Sequence, residues 1–563
     1  MYELIITEKP QAAKKIAEAL ADGKPVKKME GGVPYYDISH GKRDIVVSCA
    51  VGHLYSLDEK KKAGWTYPVF DIEWKPTSEI DKHSAYTKKY LNVIKKLSKD
   101  ADEFTIATDY DVEGEVIGVN VVRLACKQKT AKRMKFSTLT KPDLVYSYEH
   151  KLPTFDVGLA LAGETRHFLD YYYGINLSRA LTHSVKAAGS FKVLSIGRVQ
   201  GPTLKIVVDR EKEIKAFVPK PFWQVELKGQ VKEGGITALH EKDKFWDQSE
   251  AKAAHAKAKG HDGAIARIDK NEFQQPPPHP FDLTTLQTEA FRALHIQPKA
   301  TLELAQELYI GGFISYPRTS SQQLPPEIGY AKILGALQKQ EAYAKQCAEL
   351  LKKKLQPRNG SKVDPAHPAI YPTGIVPSSD GRAARLYDLI VKRFLATFGE
   401  PALRETMNLT IAVNGENFVA QGTRTIERGW HAYYDPYTPF KETELPQVKQ
   451  GDSVKANELN LLSKETQPPK RYTPASIIRE LEKRNLGTKA TRAQVIDTLF
   501  QRGYIVGEPL AATVLGIHTI DTLVTYSEKI VDEELTRHFE EEMDDIQAKR
   551  KESKTVLSEA KTC

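Results

Sequence analysis

The chain has 563 residues, too many for one ordinary core, and roughly 100–200 residues per domain gives about three to five domains. Hydrophobic residues make up 40% and charged residues 28%, the balance of a soluble globular protein, and a net charge of +9 fits a polyanionic partner as well as a merely solvated surface. Four cysteines (Cys49, Cys126, Cys347, Cys563) form no C-x-x-C pair, which argues against a zinc ribbon or a disulfide framework and for a reducing cytoplasmic setting.

The start, "MYELIITEKPQAAKKIAEAL", does not read as a signal peptide, because its apolar run is short and leads into an amphipathic helix. No apolar run reaches the roughly 18 residues of a membrane span. There is no G-x-x-x-x-G-K-[ST] loop, so an ATP site of that kind is not expected.

In chain order, "YELIIT" (2–7) reads as a strand, and Pro10 suits the first turn of the helix that follows. "DIVVSCAVGHL" (44–54) and "EFTIATDYD" (103–111) read as further strands, "EVIGVNVVRLAC" (115–126) as a helix and "AKRMKFSTLT" (131–140) as another strand. Strands alternating with helices over 1–150 predict a doubly wound, parallel α/β domain with its ligands beyond the carboxyl ends of the strands. Both "TEKP" and "TDYDVEGE" fall there. Residues 151–215 turn helical, 217–231 begin a β region, and "FQQPPPHPF" (273–281) is a proline-dense connector. Helical signals dominate 282–404, alternation returns over 405–423, and helix prevails from 472 to a fraying tail. The order predicts a helical unit inserted within a β unit.

"DYDVEGE" puts Asp109, Asp111, Glu113 and Glu115 within seven residues. Converging carboxylates repel unless a divalent cation sits among them, and an all-oxygen set suits Mg²⁺. An acidic helix N-terminus, favoured by the helix dipole, accounts for the same residues. Glu8-Lys9 adds an acid/base candidate and a cation at the same sheet edge. Gly114 keeps the turn into the next helix tight.

A Glu after the first strand and a D-x-D-x-x-G-E run after a later one resemble the Toprim domain, here Glu8 with Asp109, Asp111 and Glu115, plus Glu113. "GGFISYPRTSS" (311–321) resembles the segment of type IA DNA topoisomerases whose tyrosine attacks DNA. "LSIGRVQGPTL" (194–204), "AHPAIYPT" (366–373), "LYDLIVKRFLA" (386–396), "RYTPASIIRELEKRNLGTKATRAQVIDTLFQRGY" (471–504) and "LTRHFEEEMDDI" (535–546) match the family in the same order, over nearly the whole chain. "EKP" and "GTKATRA" resemble the topoisomerase III and archaeal branch.

The resemblance implies a toroidal clamp of four parts: a Toprim metal-binding domain (1–150), a helical DNA-binding domain (151–215 with 472–563), a β-rich hinge or arch (216–280 with 405–471) and a helical domain carrying the tyrosine (281–404). It implies that Tyr316 attacks a phosphodiester of single-stranded DNA to form a 5′-phosphotyrosine, and that Arg318 and Lys9 stabilise charge on the phosphate. Glu8 protonates the leaving 3′ oxygen, which requires a raised pKa. Glu8, Asp109, Asp111 and Glu113 are the implied Mg²⁺ ligands. Retention of the ester bond energy makes ATP unnecessary, and strand passage relaxes negative supercoils or decatenates. Arg166, Asp170, Arg198, Gln200, His367, Arg393 and Thr491 are the implied DNA-binding residues, with Asp170 orienting His367 and Thr491 capping its helix. An i,i+4 ion pair of Arg166 with Asp170, a solvated Arg393 and a structural His367 are the plainer readings. "YYYG" (171–174) fits core packing better than base stacking.

Many family members carry C-terminal zinc modules with paired cysteines; none occurs up to Cys563, so no zinc is expected and the grip on a second strand stays open. A monomer associated with the nucleoid is expected, and RNA cleavage and a helicase partner stay open. A different Toprim enzyme, primase-like or a nuclease, would share the carboxylates and need no tyrosine.

Overall fold

The protein is described from a computed structural model that covers residues 1–62, 64–187, 195–377 and 380–562. Cys563 and Leu194, the first residue of the 194–204 motif, lie outside the described residues.

The first strand, β1 (Tyr2–Thr7), is buried from Glu3 onward, as its apolar run demands of a central strand. Three strands follow: β2 (Val26–Glu30), β3 (Val33–His40) and β4 (Arg43–Cys49). A two-stranded ribbon of β5 (Tyr55–Glu59) and β6 (Ile72–Pro76) precedes β7 (Ala101–Ala107) and β8 (Lys132–Arg133). The six-stranded sheet runs β2-β3-β4-β1-β7-β8. β1 is parallel to β4 and β7, and β7 to β8, whereas β2, β3 and β4 pair antiparallel. The parallel sheet expected from the sequence thus carries an antiparallel extension. Its hairpins close through Gly31-Gly32 and Gly41-Lys42, with left-handed glycines and no room for a crossover helix.

A second departure lies at 131–140, where only Lys132–Arg133 is strand. Beyond it the Asp143 carboxylate captures the amides of Ser137 and Thr138, at 3.1 and 2.7 Å, and draws the backbone off the sheet into a loop.

Helix Pro10–Leu20 starts with Pro at its first turn and buries Ala13, Ile16, Ala17 and Leu20 against the sheet. The long helix Val157–Ala187 packs against helix Glu533–Gln547 and helix Ser553–Ala560, so the tail expected to fray is seated in a core. Helix Gln200–Ala216 shares a further core with helices Pro474–Lys483, Arg492–Gln501 and Val514–Ser527.

Two distant segments build a closed six-stranded barrel: β9 (Pro221–Val231), β10 (Gly234–His240), β11 (Gly263–Gln275), β12 (Ala402–Val413), β13 (Glu416–Glu427) and β14 (Ser453–Glu465), in the order β10-β13-β12-β11-β14-β9. Closure leaves no free strand edge. Between β11 and β12 the chain leaves the barrel to form helices Leu283–Leu294, Pro298–Ile310, Tyr330–Leu337, Glu341–Leu350 and Arg382–Ala396. One continuous apolar cluster joins these helices to the α/β sheet, from Ile16, Met134 and Phe136 to Phe281, Ile314 and Leu386. The two lobes therefore lie closed on each other.

Arg133 locks the sheet edge that carries the acidic run. Its side chain is fully buried, pairs with the equally buried Glu115 at 2.7 Å and donates to the carbonyls of Thr108 and Asp109 at 2.8 and 2.9 Å. Replacing it with leucine strands a buried carboxylate and two carbonyls. The expected outcome is a loss of about 3–5 kcal/mol from the α/β unit, read from urea unfolding of the full chain.

Candidate active site

β1 lies between β4 and β7 with Thr7 level with both Cys49 and Ala107, so all three strands end at one edge. That register brings Glu8 and Lys9 beside Asp109, a residue far away in sequence. Lys9 Nζ stands 3.2 Å from Glu8 and 3.5 Å from Asp109. The loop after β7 is drawn tight: Thr108 Oγ1 donates to the Gly114 carbonyl at 2.7 Å, and the Gly114 amide donates to Asp111 Oδ1 at 2.7 Å. Asp111 is therefore the side-chain N-cap of helix Val112–Asn120 as well as a member of the acidic edge. The cation-site and helix-terminus readings of this motif describe two faces of one loop.

The opposite lobe delivers two tyrosines. Tyr309, at the end of helix Pro298–Ile310, donates to Asp109 Oδ1 at 3.0 Å. Tyr316 donates its hydroxyl to Asp111 Oδ2 in a short hydrogen bond. Its amide donates to the Ser137 carbonyl at 2.8 Å, and its ring packs 4.4 Å from His367 and 5.2 Å from Tyr309. Tyr316 is only 1% exposed. Burial, then the charges of Asp111 and Asp109, hold the phenol well above its usual pKa against the pull of Arg318. The Arg318 Nε is buried with no partner, a cation pointed at this pocket and left unsatisfied. Burial, then the charge of Asp109, pushes Glu8 up to about 7, with Lys9 opposing. Burial also raises Asp109, helped by the charge of Asp111 and opposed by the pull of Lys9.

A DNA topoisomerase family model matches residues 154–558, and a Toprim domain model matches 3–139. The chain belongs to the type IA DNA topoisomerase family. It is similar to DNA topoisomerase 1 of Methanocaldococcus jannaschii, with 48% identity over 100% of this chain and 73% of that protein. DNA topoisomerase 1 of Pyrococcus horikoshii is 46% identical over 99% of this chain and 82% of its own length. The solved structure of full-length topoisomerase I from Thermotoga maritima superposes with a TM-score of 0.76 at 26% identity, over 99% of this chain and 89% of that one.

Five of the remaining candidate residues of this topoisomerase gather in one place. Arg166, Asp170, Arg198, Gln200 and Thr491 line one cavity of about 750 Å³, with Tyr171, Arg502 and Glu540. The plainer reading, an Arg166–Asp170 ion pair, does not hold. Glu540 takes both arginines, Arg166 at 3.0 Å and Arg198 at 2.8 Å, and Asp170 instead accepts from Arg198 at 3.1 Å. Asp170 consequently does not orient His367. That histidine is held from the other lobe: Nε2 meets the Tyr110 carbonyl at 3.0 Å and Nδ1 meets Ser137 Oγ at 3.0 Å. A carbonyl only accepts, so Nε2 carries the proton, and burial depresses His367 to about 4. In this closed state it is a neutral link between lobes and has no free nitrogen for a phosphate.

Three other expectations are corrected. Thr491 sits at the N-cap of helix Arg492–Gln501 but in helical backbone conformation, which turns its Oγ1 back to the Thr488 amide at 3.0 Å, so its side chain caps nothing. Arg393 is half-buried and held by the protein, not a solvated side chain. Its Nε donates to the His279 carbonyl at 2.7 Å and its guanidinium packs 4.5 Å from the Phe281 ring centre. Glu113 does not join Asp109 and Asp111; it accepts from His53 and His167, both at 3.0 Å. In "YYYG", Tyr172 and Tyr173 are core while Tyr171 lines the cavity.

Sequence reasoning missed Tyr309, Ser137, Glu540 and Arg502. Glu540 lies inside the 535–546 motif, but nothing there separates it from its acidic neighbours. Tyr309 lies two residues before the Gly311-Gly312 pair and reads as an ordinary helical apolar position.

Two outcomes follow from the geometry. A Cβ on Gly114 would fall 2.0 Å from the Asp109 carbonyl oxygen, so Gly114→Ala must push Asp109 aside. Relaxation of supercoiled DNA should then drop about 100-fold while circular dichroism stays native. The second concerns Asp364, which joins the tyrosine lobe to Lys489 in the loop between helices Pro474–Lys483 and Arg492–Gln501. Burial would raise this carboxyl, but Lys489 and the amides of Ser320 and Ala366, at 3.1 and 3.0 Å, outweigh it and bring it from 3.8 to about 2. A depressed carboxyl stabilises fully above its unfolded value and loses that contribution as pH falls through the folded one. Denaturant melts should therefore lose about 2 kcal/mol between pH 5 and pH 2 that Asp364→Asn no longer shows.

Proposed function

We propose that Tyr316 is the nucleophile of this topoisomerase, acting on single-stranded DNA against the acidic edge of the Toprim sheet. The observation that carries this reading is the hydrogen bond from Tyr316 Oη to Asp111, which puts a phenol oxygen from one lobe into a pocket holding Glu8, Lys9 and Arg318. In the closed protein the phenol is protonated and sheltered. Separation of the lobes admits a strand, and Asp111 is the acceptor at hand for the phenol proton. Tyr316 Oη forms its bond to phosphorus, and the bond from phosphorus to the 3′ oxygen breaks. Arg318 and Lys9 lie against the phosphate oxygens, where a fixed cation offsets charge that grows during transfer. Glu8, which titrates near 7, gives its proton to the departing 3′ oxygen and recovers it on resealing. One ester replaces another, so the cycle needs no ATP.

Asp109 and Asp111 fit Mg²⁺, with Glu8 beside them as the proton carrier. They offer only oxygen donors, gathered closely enough for Asp109 to raise the pKa of Glu8 and for Asp111 to raise that of Asp109, and Lys9 reaches both Glu8 and Asp109. Mg²⁺ held by these residues would supply positive charge for the resealing step. Glu113 is left out of this set because the two histidines hold it.

The cavity of Arg166, Arg198, Gln200 and Thr491 supports a role in gripping the strand that leads to Tyr316. On this reading the four units act as a clamp: 1–150 for metal, 281–404 for the tyrosine, 151–215 with 472–563 for the strand, and the barrel-bearing 216–280 with 405–471 as hinge. The protein works as a monomer at the nucleoid, and no helix among the described residues is long and apolar enough to cross a membrane.

End-labelled single-stranded DNA, quenched with detergent, tests the assignment. The wild type should give a labelled protein adduct and Tyr316→Phe none. Asp109→Ala with Asp111→Ala should abolish Mg²⁺-stimulated relaxation; unchanged relaxation in that double variant would remove the metal assignment.

A further inference from the structure

His53, Glu113 and His167 come from three separate elements. His53 follows β4, one residue after Gly52, whose amide donates to the Glu8 carbonyl at 3.1 Å. Glu113 sits in the first turn of helix Val112–Asn120, and His167 lies beside Arg166 on helix Val157–Ala187. Glu113 Oε2 is 3.0 Å from Nε2 of each histidine, and one donor atom from each residue lies within 4.8 Å of the others. The three side chains are 29%, 34% and 29% exposed, so an ion can reach them.

Two imidazole nitrogens and one carboxylate oxygen are a borderline donor set, unlike the all-oxygen set at Asp109 and Asp111. A tetrahedral Zn²⁺ with bonds of about 2.0–2.1 Å keeps its donors about 3.3 Å apart. The separations from Glu113 Oε2 to the two imidazole nitrogens, 3.0 Å each, are already close to that value. Trp74 packs edge-on against His167, 5.5 Å between ring centres, and limits its freedom. A second grouping, His538 with Glu542 and Glu559, makes the contrast. There Lys551 already bonds Glu542 and stands 3.6 Å from Glu559, so the place of a cation is taken. Among the described residues, the ion-pair partners of Glu113 are the two histidines alone.

We propose that His53, Glu113 and His167 bind one Zn²⁺ through three protein ligands, with water at the fourth position, as a site distinct from the Mg²⁺ donors. Binding replaces the two protons now shared between the imidazoles and Glu113, so the ion ties the loop beside Glu8 to the helix that carries Arg166. A cysteine count alone gives no sign of such a site, because no thiol takes part.

The test uses the full chain in a Cys563→Ser background, which removes a competing thiol. Isothermal titration with Zn²⁺ should show one equivalent that survives Asp109→Asn with Asp111→Asn. Either His53→Gln or His167→Gln should weaken it by about 100-fold, with melting of the metal-free variants unchanged. Co²⁺ added to the histidine-intact chain should show the visible bands of a four-coordinate ion. Crystals soaked in Zn²⁺ should show anomalous density among the three side chains. Zn²⁺ uptake indifferent to both histidine variants, or density only elsewhere, would overturn the proposal.

Discussion

The arrangement depends on a concentration of like charge at one sheet edge. Glu8, Asp109 and Asp111 follow adjacent strands that end at the same level, with Asp109 buried and Glu8 and Asp111 half-buried. Carboxylates so placed repel, and Glu8 and Asp109 resist ionisation. The protein answers with Lys9 between two of them and the hydroxyl protons of Tyr309 and Tyr316 on Asp109 and Asp111. The Tyr316 hydroxyl thus serves in the closed protein as a hydrogen-bond donor that quiets the acidic edge. That one contact joins the lobes and buries the phenol.

What holds the lobes is correspondingly mixed. An apolar cluster runs through the interface, and polar links are laid over it: His367 from Tyr110 to Ser137, Lys15 to the Gly311 carbonyl at 2.9 Å, and Lys489 to Asp364. Apolar burial is indifferent to direction, while hydrogen bonds fix register. Such a seam closes reproducibly yet contains many separable contacts. The barrel lies outside it, and because β11 and β12 flank the inserted helices, the tyrosine lobe hangs from a closed and therefore stiff support.

The cavity beside Arg198 shows a similar economy of charge. Arg166, Arg179, Arg198 and Arg502 all line it, a concentration of positive charge that favours a polyanion, and Glu540 holds two of them in place. Burial of Glu540 would raise its pKa, but Arg166 and Arg198 outweigh this and keep it ionised. Guanidinium groups whose geometry is already set lower the ordering cost of binding any anion there.

The sequence by itself determined the strand that carries Glu8, the acidic run, the helix-capping role of its turn and the tyrosine segment, because each is a local pattern of apolar spacing, turn residues and close-set charge. It also placed a β region on either side of an inserted helical unit. It did not determine which charges pair. Asp170 turns to Arg198 and not to His367, Glu113 turns to His53 and His167 and not to its neighbouring aspartates, and Arg393 is drawn into an aromatic wall. These choices belong to partners tens to hundreds of residues away, whose positions exist only after the strands take register and the lobes close. Local sequence sets what a side chain can do; tertiary structure decides which neighbour it meets, since pairing energies fall steeply with distances that only the folded chain defines.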